Sequence, residues 1–156
     1  MNALFRSALA FAVIVAQAPA ARADTGPLSG YLPPSDPAFI DRIARADVEA
    51  GAKTFDRRCS TCHDIAKDGK HSKGPLLWNV VGRKAGTSAG FAYSDAMRKS
   101  GHTWTLATLD YYLADTGRAV PGRSMDFVGI TDAKVRADLV AYLRTMSDAP
   151  VALPGK

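Results

Sequence analysis

Both cysteines of the chain fall in one pentapeptide, Cys59-Ser60-Thr61-Cys62-His63. Two cysteines three apart on a helical turn point the same way. Both sulfurs can then reach the two vinyl groups along one edge of a porphyrin, and the adjacent imidazole can turn under the ring to bind iron. This is the spacing of c-type haem attachment. Three other chemistries use the same pair. Half of a zinc site is one, but a structural zinc needs four ligands and the chain has no second cysteine pair. A thioredoxin-like redox pair follows a strand in a βαβ unit, whereas the residues before Cys59 read as a helix. A disulfide between the two is the third.

The elements that must position this motif can be read from caps and apolar spacing. Asp47 is a good N-cap for a helix that carries Val48, Ala52 and Phe55 on one face and runs into Cys59. The polar stretch 67–75 is loop. Residues 76–81 are apolar but contain Asn79, which predicts buried irregular chain rather than a central strand. Ser94 caps a short helix ending at Gly101, and Thr105 caps another with Leu106, Leu109, Tyr112 and Leu113 inward. Pro121-Gly122 opens a loop. Thr131 or Asp132 starts the last helix, where Val135, Leu139, Leu143 and Met146 recur at helical spacing. The fold class is therefore small and all-α: three main helices, short helices and long loops. About 110 residues in short helices make a thin core, which a large flat apolar cofactor would complete.

A histidine on one face of such a cofactor leaves the opposite iron position open. Met97, Met125, Met146, His71 and His102 are the candidates. Met146 completes the stripe of the last helix and Met97 sits on a short helix, so both have packing roles. The two histidines lie in loops, where solvation or a backbone contact is the ordinary fate. Met125 stands in the Pro/Gly-bearing loop 120–127, whose course could present a side chain across a pocket. A thioether opposite histidine suits low-spin iron and raises the reduction potential relative to two histidines.

Residues 1–23 read as a secretory signal. Arg6 gives the positive start, 8–16 the apolar centre, and Ala21-Arg22-Ala23 the small-x-small cleavage site. The mature chain is then predicted to start at Asp24. Cleavage removes two arginines and no acid, taking the formal charge from +5 to +3. The predicted location is the periplasm, with an uncleaved membrane anchor as the minority alternative. Residues 24–46, rich in Pro and Gly, read as an N-terminal extension or linker, mostly solvated, with one turn of helical spacing at Phe39, Ile40 and Ile43. The folded domain is predicted to span 47–156.

Across roughly residues 46–147 the sequence resembles class I c-type cytochromes, the mitochondrial protein and its soluble bacterial relatives. The resemblance rests on Gly51 and Phe55, Cys59-x-x-Cys62-His63, Gly74-Pro75, the segment 82–86, the segment 90–96, Trp104, Tyr112, Pro121-Gly122-x-x-Met125-x-Phe127 and the segment 138–143. It implies one haem c bound through Cys59 and Cys62, with iron between His63 and Met125. The Pro75 carbonyl would take the other ring N–H of His63. Tyr93 and Trp104 would hydrogen-bond a propionate, Arg83 would offset its charge, and Tyr112 would tune Met125. Gly51, Phe55, Leu139 and Tyr142 would pack the first helix of the domain on the last.

The resemblance further implies a monomeric one-electron carrier, not an enzyme, serving a respiratory or similar chain. Redox proteins would dock transiently at an exposed haem edge, and no nucleic acid would be a partner. Lys53, Arg58, Lys70, Lys73, Arg118 and Arg123 are the basic residues expected near that edge. The ring looks thinned at Ser124, Asp126, Thr131 and Asp132, so weak salt dependence is expected. Alternatives are a membrane-tethered or complex-bound subunit and, if Met125 leaves the iron, a gas-binding or peroxidase-like haem protein. Three departures stand out. Arg123 replaces a usual Thr, leaving it to pair with a propionate or face solvent. Met97 replaces an Asn, and Asn79 a Gly, which is tolerable if its φ is positive.

Overall fold

The computed structural model describes residues 26–34 and 36–154. The predicted signal and its cleavage site lie outside the described residues. The elements are α1 (Pro37–Ala44), α2 (Val48–Arg58), α3 (Asp95–Lys99), α4 (Leu106–Ala114), α5 (Thr116–Ala119) and α6 (Ala133–Thr145). One isolated bridge, between Lys84 and Thr103, is the sole β feature among the described residues. Among them, no helix is long and apolar enough to cross a membrane.

The caps set the boundaries. The Asp47 carboxylate accepts from the Glu49 and Ala50 amides and starts α2. Ser94 caps α3, which stops at Lys99, two residues short of the glycine expected to end it. Thr105 and Thr108 form a reciprocal capping box on α4. Of the two candidates for α6, Asp132 is the cap. The four-residue α5, capped by Asp115, was not foreseen; an Asp three residues before an arginine was its one sequence signal.

The scaffold is the crossing of α2 and α6. Their backbones touch at Gly51, where a Cβ would lie 2.1 Å from the Asp138 carbonyl oxygen. Any side chain there would push the helices apart. Phe55 and Tyr142 pack beside the crossing with ring centres 5.8 Å apart. The Asp47 amide donates to Asp138 Oδ1, 2.9 Å, so the cap of one helix is tied to the middle of the other. Between α4 and α6 the buried Arg136 pairs with Asp110 at 2.9 Å and also donates to the Ile130 and Thr131 carbonyls. That arrangement satisfies a charge that would otherwise be costly to bury.

Residues 26–46 depart from the expectation of a solvated linker. Leu28, Phe39 and Ile43 are buried in the common core, and α1 packs on α6. Pro37 at the first helical position and the Asp36 cap, accepting from the Phe39 amide, make the short helix possible. One turn of apolar spacing was enough because α6 offered a face to cover.

Candidate haem site

A cavity of about 410 Å³ opens between the helices, within the size range of small-molecule and cofactor sites. Cys59, Cys62 and His63 line it, with Pro75, Arg83, Tyr93, Trp104, Tyr112 and Met125. The nine residues that the resemblance assigns to the haem therefore border one space, as does Met97, whereas His71, His102 and Met146 do not. The remaining wall is apolar: Phe55, Leu77, Val80, Leu109, Leu139 and Leu143 belong to it.

Cys59 is the C-cap of α2, and Cys62 lies in the turn that follows. The amides of Cys62 and His63 both donate to the Cys59 carbonyl, at 3.0 and 2.9 Å, so the chain keeps turning and both thiols stay on the cavity side. They are free thiols, not a disulfide. Burial raises the Cys59 thiol to about 11, with Arg58 pulling the other way. At neutral pH it is thus protonated. The described residues hold no group of three or more Cys, His, Asp or Glu able to take a metal ion.

His63 is oriented by its surroundings. Its Nδ1 lies 2.8 Å from the Pro75 carbonyl oxygen. A carbonyl can only accept, so Nδ1 carries the proton and Nε2 is the free donor atom. Burial lowers the ring's pKa, opposed by the Pro75 bond. Gly74 permits this placement: a Cβ there would fall 2.3 Å from Cε1 of the ring. The Gly74 amide donates to the Cys62 carbonyl at 2.7 Å, fastening the loop to the motif.

Met125 borders the same cavity from the loop after α5. The Tyr112 hydroxyl donates to its sulfur, 3.5 Å. Burial pushes that hydroxyl up to about 12, against the pull of Arg123, so it stays a donor throughout the physiological range. Met97 also borders the cavity, whereas Met146 does not. The Met146 carbonyl instead accepts from the Asn79 amide, 2.9 Å.

The polar end of the cavity carries Arg83, Tyr93 and Trp104. Arg83 is held by the Leu76 and Trp78 carbonyls at 3.0 and 3.2 Å. Burial lowers its pKa, but a guanidinium remains charged. Among the described residues, neither the Tyr93 hydroxyl nor the Trp104 indole N–H has a protein partner. Three donors facing one cavity with capacity to spare suit an anionic group such as a carboxylate. With paired thiols, an oriented imidazole, a thioether and an apolar wall, the residues present fit a haem c.

Four further residues are engaged as follows, His71 by the backbone contact expected of a loop histidine. Arg123 is engaged within its own loop: its Nε donates to Thr116 Oγ1 at 2.6 Å and its outer nitrogen to the Phe127 carbonyl at 3.3 Å. Arg118 lies over the Tyr111 ring, 4.5 Å from its centre. His71 is tied to backbone at both nitrogens, accepting from the Leu76 amide and donating to the Ala89 carbonyl. His102 is buried, only 5% exposed, with no hydrogen bond at either ring nitrogen; its ring stands edge-on to Trp104, 4.3 Å between centres. Burial pushes it down to about 4, with the Ser100 backbone opposing. Sequence reasoning missed that burial, since the residues flanking His102, Gly101 and Thr103, are not apolar. Asn79 has φ 56°, the positive value its place in a glycine position required.

The sequence profile of the Cytochrome c family matches residues 48–147. A cytochrome c2 of Rhodomicrobium vannielii is 46% identical over 102 residues, covering 65% of this chain and 81% of the relative. Another, from Rhodoplanes tepidamans, is 47% identical over 97 residues, covering 62% and 90%. The solved structure of cytochrome cH from Methylobacterium extorquens superposes with a TM-score of 0.60 at 46% identity, covering 64% of this chain and 99% of that one.

Proposed function

The chain belongs to the cytochrome c family, and from that premise we propose that it shuttles single electrons in the periplasm, through one haem c bound at Cys59 and Cys62. His63 and Met125 would ligate its iron. The donor is a membrane complex or dehydrogenase and the acceptor an oxidase or equivalent. Family members are electron carriers, not enzymes. The observation that carries this reading is the convergence of His63 and Met125, 62 positions apart in the chain, on one apolar cavity, each already oriented by its own hydrogen bond.

Bound haem supplies an iron that takes up and releases one electron. The chain's own residues do the rest. Pro75 keeps the His63 proton on Nδ1, so the ligating nitrogen is constant in both states. Tyr112 draws density from the Met125 sulfur and favours the reduced state. Arg83, Tyr93 and Trp104 hold the propionate end. The apolar wall excludes water, which keeps reorganisation small. With His63 and Met125 both ligating a bound haem iron, little would have to move and no substrate site would be left.

Residues 1–23 act as a cleaved signal in this reading, 24–46 as an extension and 47–156 as the carrier domain; the protein works as a monomer. Intact-mass measurement of periplasmic protein, made with haem-attachment machinery, tests it. The expected mass is that of a chain beginning at Asp24 plus one haem, surviving denaturation. A chain that retains residues 1–23 would favour the tethered alternative. Loss of haem on denaturation would refute thioether attachment.

A further inference from the structure

The described residues before α2 lie outside the 48–147 that match the family, yet part of this segment packs on the segments that carry Met125. Leu28 is 3% exposed, and its amide donates to the Ala119 carbonyl at 2.9 Å. Pro27 and Ser29 border a surface cleft with Ala119, Val120 and Pro121. The Tyr111 hydroxyl donates to the Gly26 carbonyl at 2.8 Å, and the Tyr31 ring leans on Tyr111 with centres 5.0 Å apart.

From these anchor points the contacts lead directly to the ligand loop. Tyr111 precedes Tyr112, whose hydroxyl holds the Met125 sulfur. The Val120 carbonyl accepts from the Arg123 amide, 3.1 Å. Thr116, on the same short helix as Ala119, donates to the Phe127 carbonyl and accepts from Arg123. The loop 121–128 itself has little else behind it: Pro121, Gly122, Ser124, Asp126 and Val128 are all exposed. A loop with so exposed an outer face belongs to the low-stability end of a fold, where local opening is easiest.

We propose that residues 26–31 are a brace that positions the Met125 loop, clamping its α5 end so that the loop stays shut over the cavity. The proposal rests on Met125 being the axial ligand. Its consequence is that the extension sets how readily a small external ligand displaces Met125. The α1 half of the extension, through Phe39 and Ile43, instead packs on α6 and adds only general stability. The two halves of one segment thus have separable roles.

Imidazole binding to the ferric holoprotein, followed by the loss of the sulfur-to-iron band in the red, reads loop opening. Leu28→Ala is expected to raise the apparent imidazole affinity about tenfold by making local opening cheaper. Tyr111→Phe, which removes the bond to Gly26, should raise it about fivefold. Phe39→Ala lowers the melting temperature comparably but should leave imidazole affinity as in the wild type. Wild-type affinity in both Leu28→Ala and Tyr111→Phe would overturn the brace while leaving the carrier reading intact. So would an equal rise in Phe39→Ala. Absence of the red band in the unsubstituted protein would overturn the Met125 assignment, and the brace with it.

Discussion

Tyr112 shows how one hydroxyl can set a redox property. It is buried, stays protonated because burial pushes its pKa to about 12, and has the Met125 sulfur as acceptor. A donated hydrogen bond withdraws density from the thioether and disfavours the ferric state. Tyr112→Phe should therefore lower the reduction potential. A typical hydrogen bond contributes roughly 0.5–1.5 kcal/mol, and about 59 mV is a tenfold change for one electron, so a drop on the order of tens of millivolts is expected. Potentiometric titration of the two proteins measures it; an unchanged or raised potential would contradict this role for the hydroxyl. Arg123 teaches the complementary lesson. Its type and position left a propionate contact or solvent open, and two of its nitrogens donate to Thr116 and the Phe127 carbonyl within the loop. Sequence states what a guanidinium can bind, and only packing decides which acceptor comes within reach.

At the scale of elements, the chain's two flanks are fastened more firmly than composition suggested. After α6, Asp148 accepts from Trp78 Nε1 and Asn79 Nδ2, at 3.1 and 2.7 Å, and pairs with Lys67. Its amide donates back to Asn79 Oδ1 at 2.9 Å. This double tie holds Asn79 in its positive-φ conformation, and with it the loop whose carbonyls anchor Arg83. Lys67 first, then Asn79 and Trp78, depress the Asp148 pKa to about 2. A carboxylate with a depressed folded pKa adds stability above its ordinary value near 4, and loses it as pH falls toward 2. Asp148→Ala should lower the melting temperature at pH 7, and the gap from wild type should close as pH approaches 2. A gap that persists unchanged at acid pH would show that the ionised carboxylate is not the source. The helices α2, α4 and α6 were legible because each has a cap and a stripe of its own, and α3 through its cap at Ser94. The docking of α1 was not, since a single turn of apolar spacing does not reveal whether another surface waits to cover it. The site was legible to an unusual degree, because Gly74, Pro75 and the loop around Met125 are chosen by backbone requirements that few residues meet. The burial of His102 was hidden because a polar side chain gave no hint of its apolar surroundings.

For the whole molecule, function depends on the surface around the cavity mouth. Six basic residues were expected to steer partners there. Two are occupied within the protein, Arg118 on the Tyr111 ring and Arg123 in the Met125 loop. Asp126 and the 82% exposed Val128 stand on the outer side of that loop. Arg58 and Lys73 border the cavity itself. A mouth with two of its six cations engaged internally, beside an acid and an apolar side chain, relies less on long-range attraction, which salt screens over about 8–10 Å. Stopped-flow oxidation by a terminal oxidase should therefore slow only modestly as ionic strength rises; a steep fall would contradict the thinned edge.

The central claim is that one apolar cavity holds its iron between His63 and Met125, closed on both faces for electron transfer. The visible spectrum of the ferric holoprotein, followed by exposure of the ferrous form to carbon monoxide, tests it most directly. The account predicts a sulfur-to-iron charge-transfer band in the red and a ferrous spectrum that carbon monoxide leaves unchanged. Absence of the band together with ready carbon monoxide binding would contradict it, and would place the protein among gas-binding or peroxidase-like haem proteins.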